Sequence, residues 1–490
     1  MAALREGNTS QPRSSGVAVA VAVVSWVVAG AVNAAPTGAG SASASAAPSA
    51  TPPRAMSRAA ALQMLDASAR EAAEKLGLSP RQQRLRTRPL GDERVCDVLR
   101  RVCVHAGSGV KDEVARATLA DAANALAGLE ALRLLRPPSD FRAGGDPSFD
   151  VYVDPAETEG HAYVDVGTTD SVFDSGSTFV SVGPERRAGC AAPARIATLV
   201  AEAALLGLDS STDPGVLEMS SRYLATLVAP CAIVEMGEVD TFQRAPERCL
   251  VSDGQHAQPG SFLFPQYLDE KYGAQGPGTL TASLVAISWQ KALADKSSWP
   301  DEPDFFDGLR TTMIARGSDL GEVMLDFAVE RAFLGSRSDE GHMIDVARFG
   351  DLGRPRLEWS VAYDSLPRRL LPSRPLDALG ATYIWLDVSK APEGATFTFE
   401  ADWERPFLFR WSLVKVRKDG SEDTRIKVAP VFGEYEAARV VQNLGDLAGI
   451  LIVGENDAEW SKSQPFDPGE PRLAPKSYGV TLRAGTAGEP

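Results

Sequence analysis

Residues 194–228, ARIATLVAEAALLGLDSSTDPGVLEMSSRYLATLV, decide the fold of the first half of this chain. Residues 194–208 are apolar on nearly every side, which predicts a buried central helix. The acidic segment 209–213 interrupts that helix and supplies N-cap oxygens for a second one. Pro214 fits the first turn of this second helix. The stretch therefore predicts two helices that meet at an acidic turn.

The composition excludes some classes of partner. The chain has 490 residues, 44% of them apolar, which is enough for two or three domains with cores of their own. Its formal net charge of −15 argues against nucleic acid as a partner, because phosphate binding requires a basic surface. The same charge is a weaker argument against an anionic membrane surface.

The N-terminus has the pattern of an export signal. Arg5 and Arg13 precede an apolar run over residues 16–32, and a small-residue cleavage site ends at Ala34. We therefore expect residues 1–34 to be removed and the protein to be periplasmic, cell-surface or extracellular. The alternative is an uncleaved anchor, for which a run of about 17 residues is borderline. We find no other segment long and apolar enough to span a bilayer.

The rest of the chain divides into three parts. Residues 35–56 are rich in Ala, Ser, Thr and Pro, which predicts a flexible linker. Residues 57–350 predict a mainly helical domain with a small mixed sheet. Residues 355–486 contain short strand patterns separated by turn residues, which is typical of an antiparallel β-sandwich. The predicted fold class is therefore α+β.

Helices and strands follow from the periodicity of apolar residues. The helices are predicted over residues 57–76, 111–135, 194–208, 261–272, 280–294, 302–315 and 319–334. The strands are predicted over residues 102–105, 149–153, 162–166 and 178–182, and in the sandwich over residues 357–363, 381–388, 396–401, 407–416, 425–431, 438–441, 450–453 and 478–482.

Export makes disulfides possible for the five cysteines, Cys96, Cys103, Cys190, Cys231 and Cys249. Because five is odd, at least one thiol is free or bonds outside the chain. Cys96 and Cys103 can bond if the chain turns between them, whereas a continuous helix would hold them two turns apart. A bridge among the other three would staple the central helices. No cysteine spacing fits a structural zinc site.

The histidines exclude one common metal site. A zinc peptidase of the usual kind has two histidines four residues apart on one helix, with a glutamate beside the first as general base. The four histidines of this chain are His105, His161, His256 and His342, and no two of them have that spacing. A single-helix His-x-x-x-His site is therefore excluded.

A series of motifs nevertheless follows a known order and spacing. They are CVH at 103–105, RPPSD at 136–140, DVY at 150–152, GLD at 207–209, TDP at 212–214, Glu218 and LFPQYLDEKYG at 263–273. In these motifs the chain resembles secreted bacterial metallopeptidases of the gluzincin type, which are abundant in myxobacteria and end in a β-sandwich. The resemblance covers roughly residues 105–335. It implies a zincin-like helical domain with its site in residues 194–228.

The resemblance also implies which positions would hold zinc in the family. Its helix before the acidic turn has the pattern HEYFHAxQ. Counted back from Asp209, the first His falls on Thr198, the catalytic Glu on Leu199 and the second His on Glu202. Only Glu218 matches, at the third ligand position. Thr198 and Leu199 cannot replace an imidazole ligand and a general base, so for this chain we expect no zinc, no other cofactor and no catalytic residue.

Two interpretations of the remaining carboxylates stay open. Glu202 and Glu218 could together bind a hard cation weakly. Alternatively, Glu202 pairs within a helix bundle and Glu218 lies on a solvated helix face.

Three further groups of residues are weaker candidates. Acidic residues near the first strands could bind calcium, and an acid–histidine loop could bind a metal. Exposed aromatics of the sandwich could stack on sugar rings, although their alternation predicts an inter-sheet core. These groups are Asp146, Asp150, Asp154 and Glu157; Glu340, His342 and Asp345; and Trp359, Tyr383, Trp385, Trp403, Phe407, Phe409 and Trp411.

The sequence thus predicts an exported, non-catalytic pseudoenzyme that binds a polypeptide or a cell-envelope component. One alternative is a secreted hydrolase whose metal is held by Glu218 and distant histidines. The other is a glycan- or surface-binding protein that acts through the sandwich.

Overall fold

A computed structural model gives the fold. It describes residues 85–89, 93–140, 142–165, 175–185, 189–210, 212, 214–229, 236–248, 250, 260–273, 283–292, 303–334, 341–343, 353–405, 408–431, 435–457 and 475–486. The predicted signal peptide, linker and first helix lie outside these residues, as do Cys231, Cys249, His256, Glu340, Asp345 and Phe407. All described residues belong to one compact unit, Met56–Pro490.

The first half contains a six-stranded mixed sheet with the strand order β1-β5-β6-β4-β3-β2. The pairs β3–β4, β4–β6 and β1–β5 are parallel, and β2–β3 and β5–β6 are antiparallel. The strands predicted at 149–153 and 178–182 are confirmed, and a hairpin precedes them. The strands are β1 (Leu85–Arg86), β2 (Glu93–Asp97), β3 (Val102–Ala106), β4 (Phe149–Val153), β5 (His161–Asp165) and β6 (Thr178–Val182).

The two faces of this sheet differ in chemistry because side chains alternate along each strand. Val104, Val151 and Val180 belong to the large apolar core beneath the helices. Their neighbours His105 and Asp150 point to the opposite face, so the second face is polar.

Eight helices are described. They are α1 (Asp112–Ala131), α2 (Ala191–Leu208), α3 (Pro214–Val228), α4 (Met236–Arg244), α5 (Leu263–Tyr272), α6 (Leu284–Ala292), α7 (Phe305–Ile314) and α8 (Leu320–Arg331). Helix α4 is not predicted from the sequence. The remaining seven helices are predicted and confirmed, with ends shifted by a few residues. Helix α3 begins at Pro214, as predicted.

Helix α2 is the centre of the first half. It contacts α1, α3, α6, β5 and β6, which explains why it is apolar all round. The expectation that no further segment could span a bilayer is wrong in one respect. By length and composition α2 is long and apolar enough to cross a membrane, but 72% of the helix is buried inside the protein. A core helix satisfies the same criterion as a membrane span.

The second half is a β-sandwich of a five-stranded sheet, β12-β11-β14-β9-β7, and a four-stranded sheet, β13-β10-β15-β8. Its strands are β7 (Trp359–Ala362), β8 (Arg368–Leu370), β9 (Ala381–Asp387), β10 (Ala395–Trp403), β11 (Leu408–Arg417), β12 (Glu422–Val428), β13 (Glu436–Val441), β14 (Leu447–Asp457) and β15 (Tyr478–Thr486).

The prediction of a purely antiparallel sandwich is wrong at one pair, because β7 and β9 are parallel. Between them the chain crosses to the other sheet as β8 and returns, so that β9 runs in the same direction as β7. The sequence did not predict β8, which is only three residues long.

Helix α8 joins the two halves. Leu325 and Val329 on α8, with Phe333 just after it, share a core with Tyr383 and Val453 on the outer face of the five-stranded sheet. The Tyr383 hydroxyl donates to the Ala328 carbonyl at 2.6 Å. The helical part and the sandwich therefore share buried apolar surface.

An ionic network surrounds this shared core. Glu422 on β12 accepts hydrogen bonds from His342 Nε2 at 2.9 Å and from Arg425 Nη2 at 2.9 Å. Arg425 also pairs with Glu330 at 3.2 Å and Asp326 at 3.3 Å on α8. Burial alone would raise the pKa of Glu422, but the bonds from His342 and Arg425 outweigh it and lower the pKa to about 2.

We expect Glu422→Gln to reduce the acid sensitivity of the fold. The pKa of Glu422 is lower in the folded state than its ordinary value of 4.5, so its contribution is present above pH 4.5 and is lost as the pH falls towards 2. Between pH 5 and pH 2.5 the parent should lose about 1–3 kcal/mol more unfolding free energy than the variant. Urea unfolding at the two pH values measures this difference. Glu393→Gln, at an exposed glutamate of the sandwich, is the control and should behave like the parent.

Candidate functional site

The positions that correspond to the family's zinc site carry unsuitable side chains. The Thr198 hydroxyl donates to the Ala194 carbonyl of its own helix at 3.0 Å. Leu199 is 6% exposed and belongs to the apolar core. Glu202, one turn further along α2, is also buried. This part of α2 is therefore built as core.

Glu218 lies on α3, at the surface. Its side chain is 28% exposed, and its Oε1 lies 2.8 Å from Arg222 Nη2 one turn later. A pair of this kind, at positions i and i+4 on a helix, stabilises the helix modestly. This geometry agrees with the interpretation that Glu218 lies on a solvated helix face.

The histidines that the structure describes pair with carboxylates elsewhere. His105 Nε2 is 2.9 Å from Asp150 Oδ1, and His342 Nε2 is 2.9 Å from Glu422 Oε2. His161 Nε2 is 4.0 Å from Glu157 Oε1. Within the described ranges, no group of three metal-ligating side chains includes Glu218 or a histidine.

One group of three ligand-type atoms does come together among the described residues, at Cys96, Cys103 and Asp146. Cys96 and Cys103 are disulfide-bonded across the β2–β3 hairpin, so their sulfurs are not thiolate ligands. The predicted local bridge is thereby confirmed, because the chain turns between the two cysteines. Cys190, at the start of α2, is also disulfide-bonded.

A buried, highly charged site lies on the polar face of the first sheet. We call it the Arg88 cluster, and it consists of Arg88, His105, Asp140, Asp150, Asp165 and Ser177. Arg88 follows β1, its side chain is 7% exposed, and its Nε and Nη1 lie 2.6 Å from Asp165 Oδ2 and Asp150 Oδ2. Its Nη2 donates to Ser177 Oγ at 2.9 Å.

Asp140 extends the cluster into the loop before β4. Its carboxylate accepts from the backbone N–H groups of Arg142 at 2.9 Å and Gly144 at 2.8 Å. It also lies 3.5 Å from Arg88 Nη1. The cluster therefore fixes this loop against the sheet. Asp140 belongs to the RPPSD motif and Asp150 to the DVY motif, but nothing in the sequence marks Arg88.

The electrostatics of the cluster are unusual because three carboxylates share one guanidinium. Burial raises the pKa of Asp150, although His105 and Arg88 oppose the shift. Burial also raises the pKa of Tyr152 to about 12, with the Asp150 charge acting in the same direction. Both carboxylate oxygens of Asp150 accept hydrogen bonds, one from His105 and one from Arg88. These groups are saturated by one another, which is typical of a structural ionic core.

The acidic residues near the first strands give no support to the calcium hypothesis. Asp146 pairs with Arg94 at 3.0 Å, whereas Asp154 accepts from the Ala156 N–H at 2.9 Å. Glu157 accepts from the Gly160 N–H at 3.1 Å. These three residues and Asp150 therefore bind different partners in the sheet and its turns and do not converge on one site.

Most sandwich aromatics lie in the inter-sheet core or under α8. Tyr383, Phe409 and Trp411 are fully buried, and Trp403 is 7% exposed. The predicted inter-sheet core is confirmed for Trp403, Phe409 and Trp411, whereas Tyr383 packs under α8 on the outer face of its sheet. Trp359, on the edge strand β7, differs because it is 40% exposed and its Nε1 donates to the Leu371 carbonyl at 2.9 Å.

Comparisons with known proteins give limited information. No protein-family model matches the sequence, and no curated protein matches it. Among solved structures, the pre-peptidase C-terminal domain of collagenase from Bacillus anthracis has 10% identity and a TM-score of 0.17, over 26% of this chain and 99% of that one. The CBM22-1 xylan-binding domain from Paenibacillus barcinonensis Xyn10C has 9% identity and a TM-score of 0.16, over 24% of this chain and 73% of that one. The gluzincin resemblance therefore stays a prediction.

Proposed function

We propose that this chain is an exported, non-catalytic protein with a metallopeptidase-like helical part, and that it binds a polypeptide or a cell-envelope component. The observation that carries the proposal is the environment of α2 and α3. Where the resembling family has a ligand and a general base, this chain has a hydroxyl bonded to its own helix and a leucine in the core. A leucine cannot accept a proton from water and so cannot act as the general base.

The elements around these positions are well packed. One continuous apolar core contains helices α2 and α3 and the first sheet. Two further apolar cores lie inside the sandwich and between the sandwich and α8. A packed fold without the catalytic groups is compatible with a role in recognition. Binding is therefore the function that the geometry supports best.

We expect the purified protein to contain no stoichiometric zinc and to leave casein uncleaved. Elemental analysis by mass spectrometry and a fluorescent casein assay measure the two properties. Glu218→Ala should change neither, because Glu218 pairs with Arg222 at the surface. Asp240→Ala is the matched control, since Asp240 forms an i,i+4 pair with Arg244 on α4.

Two results would contradict the proposal. One is zinc at one equivalent per chain with casein cleavage that is lost in Glu218→Ala and kept in Asp240→Ala. That outcome would establish the alternative of a hydrolase with a non-standard metal site. The other is that the folded protein does not co-sediment with isolated cell envelopes and binds no polypeptide from them.

A further inference from the structure

The tip of the β2–β3 hairpin exposes two adjacent aliphatic side chains. Val98 is 81% exposed and Leu99 is 96% exposed, the two highest values among the large apolar side chains that the structure describes. Both lie in the four-residue turn 98–101, which we call the hairpin tip. Single exposed aliphatics are common on protein surfaces, but two neighbours on a protruding turn are not explained by folding.

The hairpin tip is held rigidly. The disulfide between Cys96 and Cys103 joins two residues that face each other in the second residue pair below the turn. Within the turn, the Arg100 N–H donates to Asp97 Oδ1 at 2.9 Å. Arg100 Nη1 also donates to Asn124 Oδ1 on α1 at 2.6 Å. These contacts constrain the backbone of the turn, which reduces the entropy that binding would cost.

Arginines outnumber carboxylates around the hairpin tip, in contrast to the chain as a whole, and the carboxylates there are Asp97 and Glu130. Arg100 and Arg101 follow the apolar pair directly, and both are exposed. Arg136, which follows α1 and pairs with Glu130, donates from Nη1 to the Arg101 carbonyl at 3.5 Å and so lies beside the tip. Leu135, next to Arg136, is 48% exposed. Cationic side chains thus flank an apolar point on a chain whose net charge is −15.

We propose that the hairpin tip docks on a phospholipid bilayer with anionic headgroups. Val98 and Leu99 insert at the boundary between headgroups and acyl chains, and the neighbouring arginines contact lipid phosphates. Apolar insertion combined with attraction to anionic lipid is the general basis of peripheral membrane binding. Arginine suits the contact because its planar guanidinium matches phosphate geometry.

A bilayer fits the hairpin tip better than a protein partner does. A stable protein interface buries at least about 1,000 Å² with complementary shape, whereas a four-residue convex turn offers much less. A bilayer deforms around the inserted side chains and needs no complementary pocket. The local positive charge also overrides the argument from net charge, since screening limits electrostatic reach to about 8–10 Å.

This inference deepens the proposed function by assigning the envelope component, and it rests on the chain being exported. The test uses protein recovered after secretion, with its N-terminus determined, so that residues 16–32 do not contribute. Binding is measured by co-sedimentation with phosphatidylglycerol–phosphatidylethanolamine vesicles and with pure phosphatidylcholine vesicles, at low and high salt.

The parent should bind the anionic vesicles, and high salt should weaken the binding. The double variant Val98→Ser/Leu99→Ser should bind at least about tenfold more weakly, because both inserted side chains are lost. Arg100→Gln/Arg101→Gln should bind anionic vesicles several times more weakly and should lose most of the salt dependence. Ile314→Ser, at an exposed aliphatic on α7, is the matched control and should bind like the parent.

Equal binding by the parent and by Val98→Ser/Leu99→Ser would overturn the proposal, as would no binding of the parent to either vesicle. Circular dichroism confirms that each variant is folded. The two proposals fail separately. Retention on cell envelopes without vesicle binding would overturn the lipid inference alone, whereas zinc-dependent casein cleavage would overturn the non-catalytic function alone.

Discussion

Arg88→Ala is expected to lower the free energy of unfolding by about 3–5 kcal/mol, because it leaves buried carboxylates without their cation. Arg88 lies within 2.6 Å of both Asp150 and Asp165 and within 3.5 Å of Asp140. The Asp150 side chain is 1% exposed, so water replaces the lost guanidinium poorly. The cost comes from the charges left behind more than from the attraction that is removed.

Urea unfolding followed by far-ultraviolet circular dichroism measures the loss. Arg88→Lys separates charge from shape, since a lysine keeps the positive charge but cannot serve several acceptors with a planar fork. We expect Arg88→Lys to lie between the parent and Arg88→Ala. Arg116→Ala is the control, because Arg116 pairs with Asp112 on an exposed helix face, where such pairs contribute at most about 1 kcal/mol. A loss below about 1 kcal/mol for Arg88→Ala would show that the cluster is hydrated and does not act as a buried ionic core.

The Arg88 cluster also shows what the sequence could not predict. Strand β4 and helix α2 follow from local periodicity, since every residue of the pattern lies within a few positions of the next. Arg88, in contrast, lies 62 positions from Asp150 and 77 positions from Asp165. The pairing of β1 with β5, of β5 with β6 and of β6 with β4 brings them together. Contacts between elements so distant in sequence leave no periodic signal.

The sandwich gives a second example. Its strands are readable because turn residues separate short alternating segments, and Trp411 lies inside as its alternation predicts. The parallel pairing of β7 with β9 depends on a crossover through β8, and no local pattern records it. Helix α8 likewise packs on this sheet through residues whose periodicity indicates only that one face is buried. Sequence patterns thus predict which face is covered, and tertiary structure decides what covers it.

Asp269→Ala is expected to cost about 3–5 kcal/mol of unfolding free energy, because it leaves several buried donors without an acceptor. Asp269 lies on α5, in the motif LFPQYLDEKYG, and is 1% exposed. Its Oδ2 accepts from Ser283 Oγ at 2.6 Å and from Tyr223 Oη at 2.9 Å. Its Oδ1 accepts from the Leu284 N–H at 2.6 Å and the Val285 N–H at 3.3 Å. A side chain on α5 therefore caps the N-terminus of α6 and binds α3 at the same time.

Burial raises the pKa of Asp269, and the four donors oppose that shift. The donors thus stabilise the charged carboxylate, and the carboxylate in turn satisfies the buried donors. Asp304→Ala is the matched control, because Asp304 caps α7 through the N–H groups of Phe306 and Asp307 in a less buried position. An ordinary N-cap of this kind contributes about 1 kcal/mol. Urea unfolding compares the two variants, and hydrogen exchange of the α6 amides reports loss of the cap directly. If Asp269→Ala costs no more than Asp304→Ala and leaves exchange in α6 unchanged, Asp269 acts as a local cap and does not join three helices.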